Sequence, residues 1–236
     1  MGFGMNDMAK ILFGKISGFK LGRLNHFYII NKTKSKFELV GNFDGNYCYN
    51  ISEFGNKDLS NGKKIEKASM KDLHENPSII SLFSDSKRIP TKSIEYINNR
   101  FLNHPIYTYK IFKIVKSREI LGLIITRIQS YNNSRAIRIV DYYGDEKYME
   151  GLLTEFQKLL VKYDAEYIDF YNHGFSEETM SRSGFLRREK GSEIIVPNYF
   201  EPFEKRNIDL DFLCRSDVDF TICRADSDQD RPNIIK

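Results

Sequence analysis

Residues 145–186 read DEKYMEGLLTEFQKLLVKYDAEYIDFYNHGFSEETMSRSGFL and hold three elements in succession. Met149, Leu152, Leu153, Phe156, Leu159, Leu160 and Tyr163 recur at three- and four-residue intervals. That spacing puts them on one face of a helix from about Glu146 to Lys162. Asp145 stands where a capping carboxylate can accept from the first free N–H groups. A strand, Tyr167 to Tyr171, comes next, and a short helix from Ser176 to Ser183 leads to Gly184-Phe185. A long helix between two strands makes a parallel crossover, so the apolar stripe is read as core.

Upstream of that stretch the strands are closely spaced. Ile106–Val115, Ile120–Ile128 and Ala136–Tyr142 are separated by the polar turns Lys116-Ser117-Arg118-Glu119 and Asn132-Asn133-Ser134. Short turns make these strands antiparallel. Before them the pattern predicts a strand at Lys64–Ser69 and a helix from Met70 to Phe83. A second helix is predicted to open at Pro90, which a first turn tolerates, and to end near Leu102. After Phe185, Ile194-Ile195-Val196 and Phe220-Thr221-Ile222 supply closing strands. Residues 1–60 are rich in Gly, Asn and Lys, with strand-like pieces at Phe27–Ile30 and Phe37–Val40 and a turn at Gly41–Asn46. They read as an N-terminal β arm or small β subdomain, with the main domain at residues 61–236. The fold class is therefore α/β (α+β): a mixed, mostly antiparallel central sheet flanked by helices.

Composition excludes several classes. With 41% hydrophobic residues the 236-residue chain is too apolar to be disordered. It has no long apolar run, so no spanning helix is expected. The net charge of +4 is a small difference between 36 basic and 32 acidic residues, which gives no strong case for nucleic acid. Cys48, Cys214 and Cys223 are odd in number and far apart. They form no disulfide framework, and a reducing compartment follows. The opening MGFGMNDMAKILF lacks a signal-peptide core, so the expected location is the cytoplasm. No His and carboxylate set has metal-ligand spacing, so no metal is expected. Abundant Lys, Asn and Ile suggest an AT-rich bacterial genome.

The element order resembles the GNAT acyltransferase fold. In that family a strand ends in Asn, a short helix follows, and a Gly-Phe pair opens the next strand. Here the strand ends at Asn172 and Gly184-Phe185 follows the short helix. Two further stretches are similar to GNAT-like proteins encoded in bacterial surface-polysaccharide clusters. One is Arg100-Phe101, His104-Pro105, Tyr107 and Tyr109; the other is the tail Asp226-Ser227-Asp228-Gln229-Asp230-Arg231-Pro232-Asn233. The resemblance covers about residues 60–233 and corresponds to the second half of tandem proteins. Met1-Gly2-Phe3 resembles the Gly-Phe element at the end of a first half, which implies a truncated or split version.

The resemblance implies an N-acyltransferase that uses acetyl-CoA or another acyl-CoA on an amino sugar or nucleotide-sugar. It also implies a homodimer or a separate catalytic half as partner. GNAT enzymes hold the CoA pyrophosphate on N–H groups at a turn reading Arg/Gln-x-x-Gly-x-Gly/Ala. The corresponding positions here are Tyr142, Tyr143 and Gly144, with Asn172 on the neighbouring strand. Only Gly144 matches the pattern, and Asp145 and Glu146 bring negative charge where phosphates would sit. The family's acid is a Tyr on the short helix, and Met180 stands nearest that place. Asp141 and His173, both at strand ends, are the candidate catalytic groups. His173 reads as a general base or as an exposed turn histidine, and Asp141 as a base or as a turn carboxylate. Arg182, Arg187, Arg188 and Lys190 read as a solvated surface or as a phosphate clamp. The alternative function is a non-catalytic GNAT-like module that binds a glycan precursor or docks a catalytic partner.

Overall fold

The polar turns close as hairpins and the long helix returns the chain in parallel, so one mixed sheet organises the molecule. The computed structural model describes residues 2–3, 7–16, 18–43, 60–83, 91–215 and 219–227. The chain opens with β1 (Gly2–Phe3), α1 (Asp7–Gly14), β2 (Lys20–Arg23) and β3 (Asn25–Ile30). After β4 (Lys64–Lys67) come α2 (Met70–Glu75), α3 (Pro77–Phe83) and α4 (Ile94–Ile97), the last running into a π turn at Asn98–Leu102. Strands β5 (Tyr109–Lys116), β6 (Glu119–Tyr131) and β7 (Ser134–Gly144) follow. A 3-10 turn (Glu146–Met149) precedes α5 (Leu153–Lys162), β8 (Ala165–His173), α6 (Glu177–Arg182) and β9 (Leu186–Arg187). The chain then forms β10 (Tyr199–Phe200), β11 (Phe203–Glu204), β12 (Asp211–Cys214), β13 (Ile222–Cys223) and a 3-10 turn at Arg224–Asp226.

The central sheet runs β4-β5-β6-β7-β8-β3-β9, with β13 also paired to β8. Every pairing in it is antiparallel except β7 with β8. The hairpin between β5 and β6 turns on Ser117 and Arg118, both at positive φ (49° and 76°). That twist matches the flanking strands. On one face the α5 stripe Phe156, Leu159 and Leu160 packs against Ile137, Ile139, Ile168 and Phe170. Each fully buried side chain of this kind contributes roughly 1.5–3 kcal/mol. Helices α2 to α4 cover the other face over Ile111, Leu123 and Ile125. Further along that face, Leu39, Val40, Ile194 and Val196 cover Tyr28, Ala136 and Tyr167. A second sheet, β1-β12-β2, stands beside the end of β8.

Several boundaries differ from the sequence reading, each for a local reason. The helix expected over 70–83 is two helices, because Pro77 holds Asn76 extended (φ −85°, ψ 116°). The helix expected from Pro90 starts at Ile94, where the Ser93 hydroxyl accepts from the Tyr96 N–H at 3.1 Å; Pro90 itself lies outside the described residues. Gly151, at φ 75°, divides the helix expected over 146–162. Asp145 does cap its first turn, accepting from the Lys147 N–H at 2.9 Å. Phe37–Val40 is not a strand. The N–H groups of Glu38, Leu39 and Val40 donate instead to the buried Glu166 carboxylate at 2.6, 2.9 and 3.1 Å. At Ile194–Val196 only a single bridge forms, Gly41 to Ile195, and the Asn207 amide takes the backbone groups on either side. Strand β3, within residues 1–60, lies inside the sheet between β8 and β9. Among the described residues, no helix is long and apolar enough to cross a membrane. Cys48 and tail residues 228–233 lie outside the described residues.

Candidate functional site

The parallel pair is where the sheet opens. β7 and β8 pair from Arg135–Ala165 to Ile139–Phe170. Beyond that point β7 continues to Gly144 against β6, and β8 continues toward His173 against β3. Such crevices, outside the carboxyl ends of parallel strands, are where open α/β sheets bind ligands. All six sequence candidates flank this one: Asp141, Tyr142, Tyr143 and Gly144 on β7, Asn172 and His173 on β8.

The chain fills the crevice with its own segment. β13 pairs with β8 through Ile222–His173 and Cys223–Asn172. Asn172 already faces Asn25 of β3 on its other edge, so β13 takes the edge toward β7. Both β13 and the turn at Arg224–Asp226 also touch β7. The Lys92 ammonium pins them, 2.7 Å from both Asp141 Oδ2 on β7 and Asp226 Oδ1 on the turn. All three side chains are at most 5% exposed. Asp141 is saturated further by the Tyr143 hydroxyl at 2.7 Å and its neighbour's N–H at 2.9 Å. Burial and the nearby Asp141 charge raise the Asp226 carboxyl above its ordinary range. The donor atoms of Asp141, Cys223 and Asp226 lie within 4.8 Å of one another, a spacing a metal ion can use. Here the Lys92 ammonium bridges the two carboxylates of that set.

The strand-to-helix turn is closed in the same way. Gly144, at φ 117°, leaves only 2.6 Å between a would-be Cβ and the Leu121 carbonyl, so only glycine fits. The Asp145 carboxylate accepts from Lys147, and both Glu146 carboxylate oxygens accept from the Ser176 N–H at 3.1 Å. Tyr142 is buried, its hydroxyl donating to the Asp145 carbonyl at 2.7 Å. Met180 is fully buried in the core. Asn172 is fully buried, and neither polar atom of its side chain has a hydrogen-bond partner among the described residues. His173 points elsewhere: it lines a cavity with Lys20 and Asp219. Its ring is half-buried, and burial lowers its pKa from the ordinary value.

Behind the crevice lies a charged cluster the sequence reading did not single out. Asp169 accepts from Arg138 through both oxygens, at 3.0 and 2.6 Å, and from Arg224 at 3.0 Å. Burial alone would raise the Asp169 carboxyl, but the two guanidiniums outweigh it and hold the group well below the usual carboxylate range. Burial likewise works against the Arg138 cation, and Asp169 more than offsets it. Arg224 also reaches Asn198 Oδ1, and its guanidinium sits 4.6 Å over the Tyr171 ring. His26 Nε2 lies 3.3 Å from Asp169, without hydrogen-bond alignment, and its ring stacks on Tyr171 at 3.9 Å. Arg188 donates to His26 Nδ1 at 3.1 Å, so the imidazole is neutral, with its proton on Nε2. Burial pushes the His26 pKa down to about 4. Arg224 thereby ties the turn after β13 to Asp169 of β8 and to Asn198, the same two partners that Arg138 of β7 bonds. Arg182, Arg187 and Arg188 pair with Glu178, Glu177 and Asp209. His104 Nδ1 accepts from the Ile106 and Tyr107 N–H groups, which sets the turn before β5. Cys214 and Cys223 are buried cysteines.

No protein-family model matches this sequence, and no curated protein does. Among solved structures, the chain is similar to a functionally unknown conserved protein from Staphylococcus epidermidis. That match has 12% identity and a TM-score of 0.47, covering 90% of this chain and 69% of the other. It is also similar to a GCN5-related N-acetyltransferase from Anabaena variabilis. There the identity is 10% and the TM-score 0.45, over 79% of this chain and 43% of the other.

Proposed function

We propose that this chain is a non-catalytic GNAT-like module that binds a glycan precursor in bacterial surface-polysaccharide assembly. The element order and the sequence resemblance support the GNAT-like part. One observation carries the non-catalytic part: β13 and the turn after it occupy the crevice between the parted ends of β7 and β8. Acyl-CoA does not fit the residues present. Its phosphates would meet the carboxylates of Asp145, which already accepts from the Lys147 N–H of that turn, and Glu146, which accepts from the Ser176 N–H before α6. To admit the acyl arm, the β13 pairing, both Lys92 ion pairs and the Arg224 contacts would have to break. Removing one partner of a single buried ion pair costs roughly 3–5 kcal/mol.

The competing reading is an acyl-CoA-dependent N-acyltransferase with Asp141 and His173 as catalytic groups. His173, half-buried beside an open cavity, favours it; Asp141, buried and fully bonded, does not. The boundary near residue 60 belongs to the same proposal as a boundary of origin, since β3 completes the sheet of residues 61–236. Calorimetric titration with acetyl-CoA tests the reading. No heat of binding is expected at millimolar ligand. A micromolar dissociation constant, or turnover of the thioester with an amino sugar, overturns it.

A further inference from the structure

At the carboxyl end of β8 a cavity of about 450 Å³ opens between the two sheets. That size suits a small ligand. One wall is aromatic: the His173 ring lies 4.7 Å from Phe212 and 5.1 Å from Phe220. Lys20 comes from β2, and Asp219 from the segment leading into β13. Several charged groups among the described residues are paired, as the Arg188, Arg187 and Lys92 pairs illustrate. These differ. The side chains of Lys20, Asp219 and His173 make no hydrogen bond or ion pair among the described residues, yet all three line one cavity.

We propose that this cavity binds a phosphorylated amino sugar. This ligand class follows from the glycan-precursor reading and rests on it. An ammonium and a carboxylate that share one cavity, neither paired among the described residues, suit a ligand that carries both an anion and an amine. Lys20 takes the phosphate and Asp219 the sugar ammonium, each as a charge-assisted hydrogen bond. Phe212 and Phe220 offer an apolar wall to the C–H face of the sugar ring. His173, neutral near pH 7 because burial lowers its pKa, accepts from a ring hydroxyl. The cavity lies outside the crevice, so β13 need not move for it to fill.

Titration of the whole chain with glucosamine 1-phosphate, N-acetylglucosamine 1-phosphate and phenylalanine, read by calorimetry, tests the assignment. Glucosamine 1-phosphate binds, and acetylation of its amine weakens binding about tenfold, the scale of one lost charged hydrogen bond. Asp219→Asn, at an exposed position, erases that preference, and Lys20→Met weakens both sugars alike. No binding of either sugar, equal binding of both to the wild type, or binding of phenylalanine alone overturns the proposal. Acetyl-CoA titration separates this outcome from the non-catalytic reading. Silent CoA with silent sugars sinks the cavity alone; bound CoA with sugars sensitive to Asp219→Asn sinks the non-catalytic reading alone.

Discussion

Asp169 holds three cationic or protonatable neighbours with one carboxylate, and its behaviour sets the acid response of the fold. His26 stays neutral in the folded protein down to about pH 4, whereas the unfolded chain takes up that proton near its ordinary 6.5. Between those values the unfolded state binds more protons, so stability falls as the pH drops from 6.5 to 4. A shift of this size is worth roughly 3 kcal/mol across the window. Urea denaturation at pH 7 and pH 4 measures it, and His26→Gln should flatten that window. Asp169, held low by Arg138 and Arg224, adds a second loss below its ordinary carboxylate range. Asp169→Asn leaves two buried guanidiniums facing a neutral amide. It should destabilise the protein by about 3–5 kcal/mol, or prevent folding, whereas substitutions at the exposed Glu177 should stay within about 0.5 kcal/mol. None of this cluster is visible as a motif, because Arg138, Asp169 and Arg224 are brought together by strand alternation and by a late segment of the chain. The only signal was an Asp and an Arg at inward positions of otherwise apolar strands.

At the scale of elements, the sequence announced those with strong periodicity. The α5 stripe and the hairpins β5-β6 and β6-β7 lie where the spacing put them, and Phe156→Ala should cost about 3–5 kcal/mol in a thermal or urea melt. Where long-range side-chain bonds replace backbone ladders, the sequence pattern pointed to strands that do not form. Glu166 holds residues 38–40 and Asn207 holds residues 194–196, so two strand-like apolar runs become loops. The segment from β13 through Asp226 is the element on which the functional reading turns. Lys92→Met would leave the Asp141 and Asp226 carboxylates facing each other without their shared cation. Amide exchange at residues 222–226 should accelerate at least tenfold, more than exchange in β6. Unchanged protection there would mean the Lys92 bridge does not hold the segment.

For the whole molecule, the candidate site was legible in part. Asp141, Tyr142, Tyr143 and Gly144 end one strand and Asn172 and His173 the other beside the parallel pair, but the His173 ring turns to the separate cavity with Lys20 and Asp219. The sequence also carried the charge pattern of Asp145 and Glu146, which the structure turns into caps on the chain's own N–H groups. What it did not carry was the occupant. β13 is two residues long, and its place between β7 and β8 depends on Lys92 and Arg224, distant in sequence from each other. The non-catalytic reading therefore requires that this crevice be closed to ligand. Hydrogen exchange at residues 222–226, measured with and without saturating acetyl-CoA, tests that directly. Identical, slow exchange is expected in both samples; faster exchange at these amides when acetyl-CoA is present would show that the crevice opens to ligand.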